Sequence, residues 1–330
     1  MSLRTPLCDL LEIEHPIMLA GMGGVSYAEV TAAVSNAGGY GCLGMAGRSP
    51  DEIRDNMRRV RQLTDRPFGV DLLAAVPQSL EQAVDIIIAE GATAFVAGLG
   101  VPAKIIERLQ GAGLKVFVVG GAVKHAVKAE EAGCDGVILQ GSEGGGHTGL
   151  VGTLPLVAQG VQAVRIPVAA AGGLYDGRGL AAALALGAQA VWMGTRFIAS
   201  EEAHAGEMYK DAVLAATDDA TVRTRCYSGK PMRVKTNPYV LDWESRPQDI
   251  QPFPVQAMIS HQNNAMGGIG GQIDGLDAEK SCFAMGQSAG GVKEVLPCRE
   301  IIARIMAEAH DSIARLSRLA AASPAQIAAQ

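Results

Sequence analysis

Gly136-Val-Ile-Leu139 followed by Gln140-Gly-Ser-Glu143-Gly144-Gly145-Gly146-His147-Thr-Gly149 is an apolar run that ends in small residues around a single imidazole. A short, uninterrupted apolar run bounded by glycine reads as a strand buried on both faces. Such strands belong to parallel sheets with helices packed on either side. Glycines in the loop after it cost conformational entropy, and that cost is met where backbone must approach something closely. The loop is therefore the candidate site, and the strand before it is the unit to look for elsewhere.

The same unit recurs on both sides. Pro16–Ala20, Gly41–Gly44, Phe68–Leu73, Ala94–Ala97, Lys115–Val119, Gly136–Leu139, Pro167–Ala171 and Ala190–Met193 read as eight strands. Helical patterns lie between them, at Tyr27–Asn36, Pro50–Leu63, Ser79–Glu90, Pro102–Gln110, Val123–Ala132, Leu154–Val164 and Gly177–Leu186. Eight β/α units with short connections predict an α/β fold, a TIM (β/α)8 barrel. The rival is an open doubly wound sheet, which normally announces itself by a GxGxxG turn near the start. No such turn is found in register. After residue 200 the rhythm changes. The chain divides into a barrel over 1–219, a small, mostly helical insert or lid over 220–279, and a segment over 280–330 that returns to the barrel through the helix Cys298–Ala322.

With 330 residues, a net charge of −6 and 41 glycines, the chain can bury a large core and is too acidic for nucleic acid or an anionic membrane to be its main partner. Six scattered cysteines without metal-ligand spacing read as buried or free thiols. No signal-peptide pattern and no long apolar window are present, so a cytoplasmic location is expected.

In a barrel the loops after the strands share one face, and ligands bind there. Ala171-Gly172-Gly173 and Gly194-Thr195 follow the seventh and eighth strands, where barrels commonly grip a phosphate with backbone amides. Gly21-Met22-Gly23-Gly24 after the first strand and Gly144-Gly145-Gly146 after the sixth leave room for the edge of a planar ring. FMN meets both requirements. NAD fits less well, for want of an acid partner to its ribose. His147 then stands over the ring, able to take a proton α to an activating group or to donate one to a developing anion. Glu143 reads as a brace for the turn, and the other five histidines lack such a setting. No metal cluster or nucleophile–base pair is visible.

These residues resemble the nitronate monooxygenase family, once called 2-nitropropane dioxygenases, with its NADH:quinone reductase and flavin enoyl-ACP reductase relatives. The shared motifs are Glu14-His-Pro-Ile-Met18 with Gly21-Met22, Arg66-Pro-Phe-Gly-Val70, Gly141–His147, Ala170-Ala-Gly-Gly173 with Asp176-Gly177, and Met193-Gly-Thr-Arg-Phe197. Ser228-Gly-Lys-Pro-Met-Arg233 and Gly286-Gln-Ser-Ala-Gly290 also match. The resemblance implies FMN contacts at Gly21, Met22, Gly23, Gln140, Gly145, Gly146, Ala171, Gly172, Gly173, Gly194 and Thr195, with Gln287 and Ser288 beside the ring and His147 as the catalytic base. It implies oxidation of alkyl nitronates or nitroalkanes with O2 to a carbonyl compound and nitrite. The alternative is an NAD(P)H-dependent FMN reductase acting on a quinone, an enoyl thioester or a CoA-linked ring fragment. A barrel holding a phosphorylated ligand without redox chemistry is the third reading. Either enzyme would take a small-molecule substrate, and a homodimer is compatible with the scaffold. Two departures stand out: Asp71 replaces the usual asparagine at a cofactor position, and Val119-Gly120-Gly121 replaces a polar end of the fifth strand.

Overall fold

The computed structural model describes residues 3–74 and 77–321. Its centre is an eight-stranded parallel sheet built from β1 (Ile17–Leu19), β2 (Gly41–Gly44), β3 (Phe68–Leu73), β4 (Ala94–Gly98), β5 (Lys115–Gly120) and β6 (Gly136–Gln140), then, after a two-residue strand β7 (Gly146–His147), β8 (Val168–Ala171) and β9 (Ala190–Met193). The order β1-β9-β8-β6-β5-β4-β3-β2 closes on itself, because the Leu19 amide donates to the Tyr40 carbonyl and the Tyr40 amide to that of Ile17. The closed barrel settles the choice against an open sheet.

Side chains on successive strand residues point to opposite faces, so each strand feeds two cores. One is the layer between strands and helices, with Leu19, Leu43, Val70, Phe95, Val118, Leu139, Ala170 and Val191. The other fills the barrel, with Met18, Tyr40, Cys42, Ala94, Val96, Phe117, Ile138, Ala169, Ala171 and Trp192. The first helix, Pro6–Leu11, capped by the Thr5 hydroxyl, adds Leu7, Cys8 and Leu11 to the inner core and plugs the end of the barrel away from the glycine loops. At about 1.5–3 kcal/mol per fully buried large aliphatic side chain, these two cores carry the fold.

The helix Cys298–Ala321 lies against the helices Gly177–Ala185 and Ala28–Asn36 and so closes the outer ring. Gly177 allows the approach: a β-carbon there would fall on the Ile305 carbonyl, and the Gly177 amide donates to Glu308 at 2.8 Å. Residues 322–330 of the expected C-terminal segment lie outside the described residues. The expected insert 220–279 does contain helices, Pro238–Glu244 and Val255–Gln262. It opens, however, on an antiparallel hairpin, β10 (Thr221–Thr224) and β11 (Met232–Lys235), that sequence reading did not place. β11 pairs in turn with β7, so His147 belongs to a second, three-stranded sheet laid over the barrel. All six cysteines are buried free thiols. Among the described residues no helix is long and apolar enough to cross a membrane.

Candidate functional site

The site is assembled at the ends of the barrel strands. Gln140, the last residue of β6, donates its side-chain amide to the carbonyls of Gly145 (3.2 Å) and His147 (3.0 Å), which folds the glycine loop back over its own strand. Gly145 is glycine because its backbone lies against the Met285–Gly286 segment, where a β-carbon would be 2.8 Å from the Gly286 nitrogen. Gly146 has φ +72° and open space where a side chain would be. The backbone of His147 is set opposite Met232 by the β7–β11 ladder, and its Nε2 lies 2.9 Å from the Ser228 hydroxyl. Burial, and after it the nearby Lys230 ammonium, lowers the imidazole from its ordinary value to about 4. At neutral pH His147 is therefore uncharged. The neutral ring has one nitrogen free to accept a proton and one N–H that donates.

Asp71 lies on β3 between Gly44 of β2 and Val96 of β4, and Val96 belongs to the core that fills the barrel. It is buried at 9% exposure, and among the described residues its carboxyl makes no hydrogen bond or ion pair. Burial raises its pKa well above the usual carboxylate range and so favours the protonated form. An ionised aspartate cannot donate a hydrogen bond; a protonated one donates as asparagine does. Gly21 leaves space for it, since a β-carbon at Gly21 would fall on the Asp71 side chain.

A third group lies after β8 and β9. Gly172 and Gly173 are consecutive left-handed residues, φ +99° and +74°. Among the described residues the amides of Gly172, Gly173, Gly194 and Thr195 donate to no protein acceptor. Successive amides with no partner, at strand ends leading into helices, form the kind of nest that takes an anion. The Thr195 hydroxyl accepts from the Gly286 amide at 2.9 Å and keeps its own proton. A cavity of about 340 Å³ adjoins this nest, lined by Gly172, Gly173, Glu143, Tyr175, Gln287 and Ser288 among others. Gln287 and Ser288 therefore stand at the glycine-nest end of the mouth, on the short 3-10 turn Gln287–Gly291.

Glu143 is the brace that the sequence suggested. Its carboxylate accepts from the Thr153 amide (2.9 and 3.0 Å) and hydroxyl (3.0 Å), at the start of the helix Thr153–Ala163. Met22 lies on the loop Gly21–Gly24, where its amide donates to Ser26 Oγ at 2.6 Å and its sulfur packs toward Gly194. A β-carbon at Gly23 would meet the Ile269 carbonyl at 3.8 Å, an ordinary contact, and Ala171 is buried in the inner core with its carbonyl accepting from the Gly141 amide. Sequence reasoning gave no role to Ser228 or Thr153. Ser228 lies 81 residues beyond His147, past the range of any local pattern, whereas Thr153 was legible as a hydroxyl at a helix start.

The glycine nest and the strand-end glycines form a site open to a phosphate-bearing ligand. Comparison with known proteins gives the family of the chain. The family model described as "Nitronate monooxygenase" matches residues 4–308. The (3aS,4S,5R,7aS)-5-hydroxy-7a-methyl-1-oxo-octahydro-1H-indene-4-carboxyl-CoA dehydrogenase of Mycobacterium tuberculosis is 36% identical over 94% of this chain and 97% of its own length. A probable nitronate monooxygenase of Staphylococcus saprophyticus is 34% identical over 79% and 86%. The solved structure of FabK from Thermotoga maritima superposes with a TM-score of 0.88 at 39% identity, covering 96% of this chain and 99% of that one.

Proposed function

This chain belongs to the nitronate monooxygenase family of flavin-dependent oxidoreductases, and from that premise we propose that it oxidises carbon acids with FMN, with His147 as the base. The observation that carries the reading is the imidazole of His147, half-buried at the barrel mouth with its Nε2 2.9 Å from the Ser228 hydroxyl. A neutral imidazole so held takes a proton from a carbon next to an electron-withdrawing group.

Gly172, Gly173, Gly194 and Thr195 would hold the FMN phosphate, and Gly21, Met22 and Gly23 would border the ring. Bound FMN supplies the electron acceptor. The residues of the chain do the rest. Ser228 fixes the tilt of the imidazole, and Gln140 fixes the backbone that carries it. The raised pKa of Asp71 favours its protonated form, which would donate a hydrogen bond without adding negative charge to the mouth. In the first substrate reading, His147 takes the α-proton of a nitroalkane, or the nitronate enters already ionised, and O2 completes the conversion to a carbonyl compound and nitrite. A second reading is dehydrogenation of a CoA thioester α to its carbonyl. Asp71 at the asparagine position and the near-complete overlap with the M. tuberculosis dehydrogenase favour it.

Anaerobic mixing tests the direction. Under the proposal, 2-nitropropane anion or an acyl-CoA bleaches the flavin absorbance of the purified protein. Bleaching by NADH or NADPH, with no response to any carbon acid, would overturn it in favour of a reductase.

A further inference from the structure

The hairpin that sets the register of His147 has two unlike faces. Val222, Met232 and Val234 point into the core of the insert. Arg223 lies directly across from Arg233, which lies across from Gly146; Lys235 lies across from Thr221 on that same face. From Thr221 to Lys235 the sequence carries Arg223, Arg225, Lys230, Arg233 and Lys235 and no acidic residue, in a chain whose net charge is −6. Among the described residues none of the five forms an ion pair. Arg233 donates to the Ser142 carbonyl (2.8 Å) and to Thr221, Arg223 donates to the Gly149 carbonyl (3.1 Å), and Lys230 lies over the Phe253 ring at 4.6 Å. These contacts use only part of each guanidinium, which has five N–H donors. Like charges directly across a ladder destabilise it, and Gly146 leaves the third position of the row without a side chain.

We propose that this cationic face is a binding site for the pyrophosphate of a nucleotide, by which a nucleotide-linked molecule anchors its tail at the rim while its reacting end reaches His147. Two guanidiniums side by side match phosphate oxygens in geometry and charge, and an anion between them offsets their mutual repulsion. The inference rests on the CoA-thioester reading for the identity of the tail. The same phosphate chemistry would also receive a nicotinamide dinucleotide.

Arg225 and Lys235 are the residues to change, because they carry none of the contacts that hold the glycine loop. Titration of the flavin-loaded protein compares coenzyme A with pantetheine, and NADPH with reduced nicotinamide mononucleotide. Coenzyme A should bind about tenfold or more tighter than pantetheine at low salt. Arg225→Glu with Lys235→Glu should erase that advantage and leave pantetheine binding and the flavin spectrum unchanged. Absence of both advantages in the wild type, of coenzyme A over pantetheine and of NADPH over reduced nicotinamide mononucleotide, or an advantage undiminished in the double variant, would overturn the site. If only the NADPH advantage is present and lost, the phosphate site stands and its tail belongs to the hydride donor. If coenzyme A binding responds as expected while no acyl-CoA bleaches the flavin, the site stands and thioester oxidation falls.

Discussion

Ser228 and His147 meet at 2.9 Å across 81 residues of chain, through a ladder that joins the strand of one to the strand following the other. The His147 ring is thus held by the insert, while Gln140 of the barrel holds its backbone. Ser228→Ala should keep the flavin and lower kcat/KM roughly fivefold, the effect of about 1 kcal/mol for one hydrogen bond. Steady-state kinetics beside a flavin absorbance scan separates this from loss of cofactor. An unchanged kcat/KM would show that the imidazole needs no such partner.

The pH dependence of turnover reads the His147 environment directly. With its pKa lowered to about 4, the base stays active well below neutrality, so the acid limb of kcat/KM for a neutral carbon acid should fall nearer pH 4 than 6.5. For stability the sign follows from proton counting. The unfolded chain binds the proton first, so this group favours unfolding progressively as pH falls from about 6.5 toward 4, and not above that window. His147→Ala should remove the limb and lower kcat/KM by about 10²-fold or more. A limb at 6.5 in the wild type would contradict the buried, neutral imidazole.

Asp71 carries the opposite shift. Its pKa is raised by burial, so folding favours the protonated form, and this cost to stability grows as pH rises above the ordinary carboxylate range. Asp71→Asn keeps a donor of nearly the same shape and removes the titration. Its melting temperature should exceed that of the wild type at pH 8 by more than at pH 5. A constant difference between the two pH values would place an ionised carboxylate at this position.

Gly172 and Gly146 share a left-handed backbone but not a setting. A β-carbon at Gly172 would lie 2.8 Å from Thr153 Oγ1, whereas none of its surroundings would touch one at Gly146. Gly146→Ala should cost about 1 kcal/mol of backbone strain and retain flavin. Gly172→Ala should cost about 3 kcal/mol and release it, as contact with the Thr153–Glu143 brace is lost. Thermal melts with flavin fluorescence report both. Equal behaviour of the two variants would remove Gly172 from the anion nest.

The barrel was legible because most strands are apolar runs closed by glycine, and that pattern depends on neighbours in sequence. The candidate cofactor residues were legible for the same reason: Gly172, Gly173, Gly194 and Thr195 directly follow their strands. What the sequence hid is long-range. The β10–β11 hairpin is short and arginine-rich, so its alternation of Val222, Met232 and Val234 with cations reads as polar loop until β7 supplies an edge to pair with. The expected C-terminal helix was found because its period is its own. Ser228 was invisible as a partner because only folding brings it to His147. The upward pKa shift of Asp71 is likewise a property of the walls that bury it, among them Gly44, Val96 and the bare backbone of Gly21.

Because β7 belongs to the upper sheet, the imidazole and the cofactor grip are inherited from different parts of the chain. Residues 221–235 would be the segment to graft from a relative. Such a graft would carry over the partner of His147 and the charge of the rim while leaving the strand ends after β8 and β9 untouched, so acceptor preference and flavin retention can diverge independently. A scaffold divided in this way acquires new substrates by rewriting fifteen residues rather than a barrel.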